Sequence, residues 1–279
     1  KTIQIKDGIR ATYMPSVINS DTEYWFFGGS TMFGSGVPDF GTIPSVFAKL
    51  VGAKAVNFGE SGWMARQQLA MLTNQYIKGV SKSKKYIIFY DGINNVGTNC
   101  RVDNDGLSTA RQSQLQHQVK DMGSKFEFKR TFQQIFDFIE VVKRRFIIGR
   151  DYQHTLYDCH KDKNKANLAA NSLVETWVTA SKLAEANGDS FLAILQPSAH
   201  LGNANTSRLN LNEPVYKARG QQIKVVYPLI RTLAMERGIN FIDLTDIYDG
   251  SEFIYTDTSH VTINGHERVS QALKEFLQL

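Results

Sequence analysis

Apolar residues fall into short unbroken runs separated by stretches of helical periodicity. The first run, Tyr24-Trp25-Phe26-Phe27, ends in Gly28-Gly29-Ser30, as a buried strand does when it turns sharply at its C-terminal tip. From Thr42 the residues Ile43, Val46, Phe47 and Leu50 recur at helical spacing until Gly52 stops the pattern, which completes a βα unit. The alternation continues with a strand from Lys54 to Phe58, a helix from Met64 to Ile77 with Leu69, Leu72 and Ile77 inward, and a strand from Tyr86 to Tyr90. It resumes later with a helix from Ala166 to Ala186, whose inward side carries Leu168, Val174, Trp177, Val178 and Leu183. A strand from Ser190 to Leu195, a helical run to Arg237 broken or kinked at Pro228, a strand from Ile239 to Leu244 and a helix from Asn264 to Leu279 complete the chain. Continuous apolar strands alternating with helices predict one α/β domain, a three-layer α/β/α sandwich on a five-stranded parallel sheet. Residues 1 to 23 show no period and are expected to lie over the surface.

Between the third and fourth strands the alternation stops. The excursion, about residues 96 to 165, is predicted to be a helical insertion, because Phe132, Ile135, Phe136, Ile139, Val142 and Phe146 fall on one helical stripe,. Ordinary packing is the first expectation for such a stripe; a lid or a surface for a partner or membrane is the functional alternative. Cys100 and Cys159 lie near its two ends. A bridge between them would tie the insertion off at its base and would imply an oxidising space such as the periplasm or cell surface.

Charge narrows the choice of partners. The 279 residues carry 32 lysines and arginines against 27 acidic residues, a net charge of +5. The basic residues are interspersed with carboxylates, and the dense clusters from Lys78 to Lys85 and from Lys143 to Arg150 read as solvated helix ends. Nucleic acid is therefore not an expected partner. No stretch approaches the roughly 18 apolar residues of a membrane span. The chain begins at Lys1, so a signal peptide or membrane anchor is an expectation for the region upstream.

Candidate chemistry follows the strands. Ser30 follows the first, Gly62 the second, Asn94 the third, and Asp257 with His260 the fifth. Ser30, Gly62 and Asn94 recur every 32 residues, roughly one βα repeat, so each should return to the same edge of a parallel sheet. A serine hydroxyl attacks at neutral pH only when a base takes its proton, which His260 would do. Asp257, three residues earlier, would accept the other imidazole N–H and hold the ring in register. The backbone N–H groups of Ser30 and Gly62 and the Asn94 amide would form an oxyanion hole. Glycine at 62 is expected because it lets the main chain approach closely. Trp63, Asn95 and His200, the last just after Gln196-Pro197, are the candidates for touching substrate.

These blocks resemble those of the SGNH hydrolase superfamily, the GDSL-like esterases: Gly28-Gly29-Ser30, Asn57-Phe58-Gly59-Glu60-Ser61-Gly62, Gly92-Ile93-Asn94-Asn95 and Asp257-Thr258-Ser259-His260, in the family's order. The resemblance implies a flavodoxin-like sheet, Ser30 as nucleophile, His260 as base supported by Asp257, and an oxyanion hole from Ser30, Gly62 and Asn94. Two positions depart from the common pattern, since Gly29 and Asn95 stand where aspartate is usual. The Gly-Gly-Ser block is similar to a subgroup associated with bacterial cell-surface and polysaccharide-related proteins. The expected activity is a serine esterase that removes acyl groups, foremost acetyl, from a carbohydrate or another small ester, with no cofactor and no metal. O-acyl transfer to a polysaccharide would use the same residues. A binding or scaffolding module in polysaccharide assembly is the non-catalytic alternative.

Three rival readings weigh less. Gly59-Glu60-Ser61-Gly62 resembles a Gly-x-Ser-x-Gly elbow with Ser61 as nucleophile, but Trp63 replaces the final glycine. The Gly28 to Gly36 loop lacks the endings of a phosphate-binding loop. His154, Cys159 and His160 match no zinc spacing.

Overall fold

The computed structural model describes residues 3–18, 20–79, 82–108 and 157–279. The apolar stripe from Phe132 to Phe146 and His154 lie outside the described residues.

Seven strands among the described residues form one sheet in the order β1-β2-β4-β3-β5-β6-β7. They are β1 (Ile5–Lys6), β2 (Ile9–Arg10), β3 (Glu23–Gly28), β4 (Ala55–Asn57), β5 (Lys85–Asp91), β6 (Ser190–Leu195) and β7 (Phe241–Asp243). The five from β3 to β7 run parallel, as the apolar runs predict, and the antiparallel hairpin β1-β2 extends the sheet beyond β4. From β3 the chain goes first to β4 on one side and then to β5 on the other, so a crevice opens beyond the C-terminal end of β3. In open α/β sheets that is where ligands bind.

Both faces of the sheet are covered, which explains why its strands read as unbroken apolar runs. Tyr24, Phe26, Ile88 and Ile194 point to one side, where they meet Phe47 of α2 (Ile43–Val51) and Val269 and Leu273 of α7 (Ile263–Phe276). Trp25, Phe27, Ile87 and Phe89 point to the other, against Leu72 of α3 (Ala65–Lys78), Trp177 of α5 (Lys163–Ala186) and Tyr227 of α6 (Pro214–Glu236). Truncating a wholly buried aromatic such as Phe26 or Phe27 costs about 3 to 5 kcal/mol. The strand that presents the nucleophile is therefore held in one register from both sides.

Several expectations change. Ile77 is 80 % exposed and Leu168 is exposed too; each lies off the buried stripe of its helix, which runs through Gln68, Leu72 and Gln75 in α3 and through Ala166, Ala169, Ala170 and Leu173 in α5. Helix α6 runs through Pro228 without a break. The segment before residue 23 does more than cover the surface. Asp7 and Gly8 both have positive φ, the tight turn that joins β1 to β2,. This brings the Arg10 side chain, with no exposed surface, under the turn after β3. There its guanidinium donates to the carbonyls of Phe33 (2.6 Å), Gly34 (2.7 Å) and Val37 (2.7 Å) and pairs with Asp39 (2.9 Å). A buried cation is tolerable only when its donors are satisfied in this way.

Cys100, at the end of α4 (Ile93–Asn99), is disulfide-bonded to Cys159 across 59 residues. Beside the bond, Arg101 and Tyr157 pair as an antiparallel bridge, and the Asp158 N–H donates to the Cys100 carbonyl at 3.0 Å. Replacing both cysteines by alanine is expected to lower the unfolding free energy by about 2 to 4 kcal/mol, the typical contribution of a disulfide. Urea unfolding of the two proteins under non-reducing conditions measures it.

Candidate active site

Helix α1 (Ser30–Phe33) starts at the residue that follows β3 and Gly29, so the Ser30 side chain stands at the mouth of the switch-point crevice. The histidine arrives from the other end of the chain. Asp257 to His260 form a turn closed by the Thr256 N–H to the His260 carbonyl (2.9 Å) and flanked by the Tyr255–Val261 bridge. Thr31 Oγ1 donates to the Ser259 carbonyl (3.2 Å), which pins this turn to α1.

Within that frame the Ser30 hydroxyl and His260 Nε2 are 2.7 Å apart, and His260 Nδ1 lies 2.6 Å from Asp257 Oδ2. The other Asp257 oxygen accepts the backbone N–H groups of Ser259 and His260, both at 2.8 Å. Burial works to raise the Asp257 carboxyl, but the His260 ring and these two N–H groups outweigh it and bring the pKa down to about 2. Asp257 is thus an acceptor only, so Nδ1 carries the ring proton and Nε2 is left to accept from Ser30.

Three candidate donors belong to residues lining the same cleft. Among the described residues, neither the Ser30 nor the Gly62 backbone N–H donates to a protein acceptor. Asn94 Nδ2 donates one hydrogen to the Trp63 carbonyl at 2.9 Å. A carbonyl can only accept, so this bond fixes the Nδ2 end of the Asn94 amide toward Trp63 and, among the described residues, leaves its second hydrogen without an acceptor. Gly29 makes the arrangement possible: a Cβ at that position would overlap the Asn94 amide nitrogen. At Gly62 the expected reason for glycine changes. A Cβ there would meet nothing within 4 Å, whereas its φ of +76° is the conformation that disfavours side chains,.

Ser30, Gly62, Asn94 and His260 line one cleft of about 370 Å³. Other sequence candidates do not reach it. The Asn95 side chain is only 3 % exposed and turned into the protein, because one residue past Asn94 is about 100° further round α4,. His200 packs against Gly220 of α6 rather than lining the cleft. Burial, with Lys224 and Arg219 nearby, pushes its pKa down to about 4, so the ring is neutral at pH 7. Trp63 contributes its carbonyl, and its half-buried side chain stays outside the lining. Ser61 is exposed and has no imidazole partner among the described residues, unlike Ser30. Cys159 is committed to the disulfide and His160 to the Gln222 amide, which removes two of the three residues of the zinc reading. The cleft also contains Gln196, which directly follows β6, and Arg101, Tyr157 and Arg219, which the strand-end pattern does not mark.

No protein-family model matches the chain, and no curated protein sequence matches it. Among solved structures, a member of the lipolytic protein G-D-S-L family from Veillonella parvula aligns at 16 % identity with a TM-score of 0.50, over 92 % of this chain and 100 % of that one. An acetylxylan esterase from Geobacillus stearothermophilus aligns at 14 % identity with a TM-score of 0.50, over 95 % and 96 %. The chain shares its fold with these two proteins. In this fold the third block, Gly92 to Asn95, rests on a buried carboxyl. Asp91, at the end of β5, accepts from Gln68 Nε2 (2.6 Å) and Trp177 Nε1 (3.0 Å). Burial raises its pKa to about 7 against the opposing pull of those two bonds.

That carboxyl ionises near 3.8 in the unfolded chain. The folded protein holds the proton more tightly, so the Asp91 contribution to stability is complete below about 4 and is lost as pH rises to about 7. Asp257 shifts the opposite way, and its contribution is lost only as pH falls through 3.8 towards 2. Asp91→Asn is therefore expected to flatten the decline of unfolding free energy between about pH 4 and pH 7, measured by urea titration at several pH values.

Proposed function

We propose that this protein is a serine esterase that cleaves carboxylic esters through an acyl-serine intermediate. The observation that carries the reading is the continuous line from Ser30 Oγ through the His260 ring to Asp257, with contacts of 2.7 and 2.6 Å, in a cleft also lined by Gly62 and Asn94.

In the first half-reaction Ser30 Oγ bonds to the ester carbonyl carbon while its proton passes to His260 Nε2. The imidazolium that forms faces the ionised Asp257, which stabilises it. Negative charge gathers on the former carbonyl oxygen, where the N–H groups of Ser30 and Gly62 and the second Asn94 amide hydrogen would donate; each such donor is worth about 3 to 4 kcal/mol in the transition state. Collapse breaks the bond to the alcohol oxygen, which takes the proton from Nε2 and leaves as the alcohol. Water then gives its proton to Nε2, attacks the acyl carbon and releases the acid, and Ser30 recovers its proton.

The cleft is small and has more polar than apolar lining, which suits a short acyl group on a polar alcohol better than a lipid chain. O-deacetylation of a carbohydrate is the reading we favour, and one of the structures sharing the fold is named an acetylxylan esterase. The Cys100–Cys159 bond supports a location outside the cytoplasm, the periplasm or cell surface, where such bonds persist.

A fluorophosphonate probe is expected to label the protein at Ser30, and Ser30→Ala to lose both labelling and hydrolysis of p-nitrophenyl acetate. An unlabelled wild-type protein would instead favour a binding module. Gly29→Ala tests the oxyanion hole separately. It displaces the Asn94 amide without touching the Ser30–His260 contact, so kcat should fall by about 100-fold or more, while a stoichiometric single-turnover titration still counts a full complement of Ser30.

A further inference from the structure

Among the described residues, arginine side chains are almost all spoken for. Arg10 is capped by carbonyls and Asp39, Arg101 makes two bonds to Asp103 (2.8 and 2.7 Å), and Arg231, Arg237 and Arg268 each pair with a carboxylate. Arg66 donates to the Leu107 carbonyl, and Arg208 lies over the Phe253 ring. Arg219 differs. Among the described residues it has no carboxylate partner, and its one hydrogen bond goes from Nε to the Tyr157 hydroxyl at 3.2 Å. It is half-buried and lines the cleft that holds Ser30 and His260.

Its place in that cleft is defined from two directions. The Arg219 Nε sits 4.0 Å from where a Cβ on Gly97 would be. Gly97 follows Asn94 by three residues on α4, and residues so spaced share a helix face about 5 to 6 Å apart. The guanidinium thus lies about one helical turn from the oxyanion donor, close to the span of a sugar ring. Tyr157, which holds Nε, is buried and stands two residues from the disulfide that also fixes the end of α4. With Nε occupied, the two Nη groups remain as a planar fork suited to a carboxylate or phosphate. Arg101 adds no net charge, because Asp103 neutralises it.

We propose that Arg219 anchors an anion subsite: the ester substrate carries a carboxylate or phosphate group about one ring away from the acyl group, and the Arg219 fork binds it. This rests on the esterase reading for the identity of the ligand as a substrate, but the subsite can be tested without catalysis. The probes are methyl glucuronoside, its uncharged carboxamide and methyl glucoside 6-phosphate, titrated against the Ser30→Ala protein. At least one of the two anions should bind about tenfold or more tightly than the carboxamide, as charge-assisted bonds to one arginine allow. The tighter anion identifies the substituent. Adding Arg219→Gln should bring the ratio of anion to carboxamide affinity close to one, and Arg219→Lys should keep part of it. Among O-acetylated forms of the same sugars, the wild-type preference should appear in KM rather than kcat. Equal affinity for all three probes, no measurable binding of any, or a ratio that survives Arg219→Gln would each overturn the subsite. Failure of fluorophosphonate to label Ser30 overturns the esterase reading and leaves the binding result standing.

Discussion

A hydroxyl can hand its proton to an imidazole only across a hydrogen bond, and here that bond joins residues 230 positions apart. Most of the molecule can be understood as what keeps it short. The parallel sheet returns Ser30, Gly62 and Asn94 to one rim, aromatic layers on both faces lock β3 in register, and the turn from Asp257 to His260 is tied to α1 through Thr31 and Ser259. Loss of any one of these would separate groups that have no local reason to stay together.

The electrostatics follow the same logic of fixed partners. Asp257 stays ionised because donors surround it, and that charge selects the tautomer of His260. Asn94 is a neutral donor whose orientation depends on a single carbonyl, that of Trp63. Gly29 belongs to this set through an absence, since the space its missing side chain leaves is filled by the Asn94 amide. The departure from aspartate at that position thus has a steric meaning in this structure.

The strands and the residues at their ends were legible because both signals are local: an apolar run ends, and a turn residue carries the chemistry. Four of the elements recovered this way, β3, β5, β6 and α7, bring Ser30, Asn94, Gln196 and His260 to the cleft or next to it. The hairpin β1-β2 had a signal too, Asp7-Gly8 between Ile5 and Ile9, but strands of two residues are too short for any period to register. Arg10 could not be foreseen as buried, because what makes its burial tolerable is a set of carbonyls more than 20 residues away. Asn95 and His200 were misplaced for a related reason. Proximity to a strand end says which loop a residue occupies, whereas the direction of its side chain depends on the helix it starts or packs against. Arg219 lies mid-helix on α6, where nothing in a helical period separates a cleft-facing cation from a solvated one.

The clamp formed by Cys100, Cys159 and the Arg101–Tyr157 bridge has a consequence for how this architecture diversifies. Lengthening or shortening the chain between its two ends changes the entropy of closure only logarithmically, and the ends stay where the covalent bond holds them. Tyr157 and α4, which frame the cleft, are thereby held in place by a bond that does not depend on the length of the chain between its two ends.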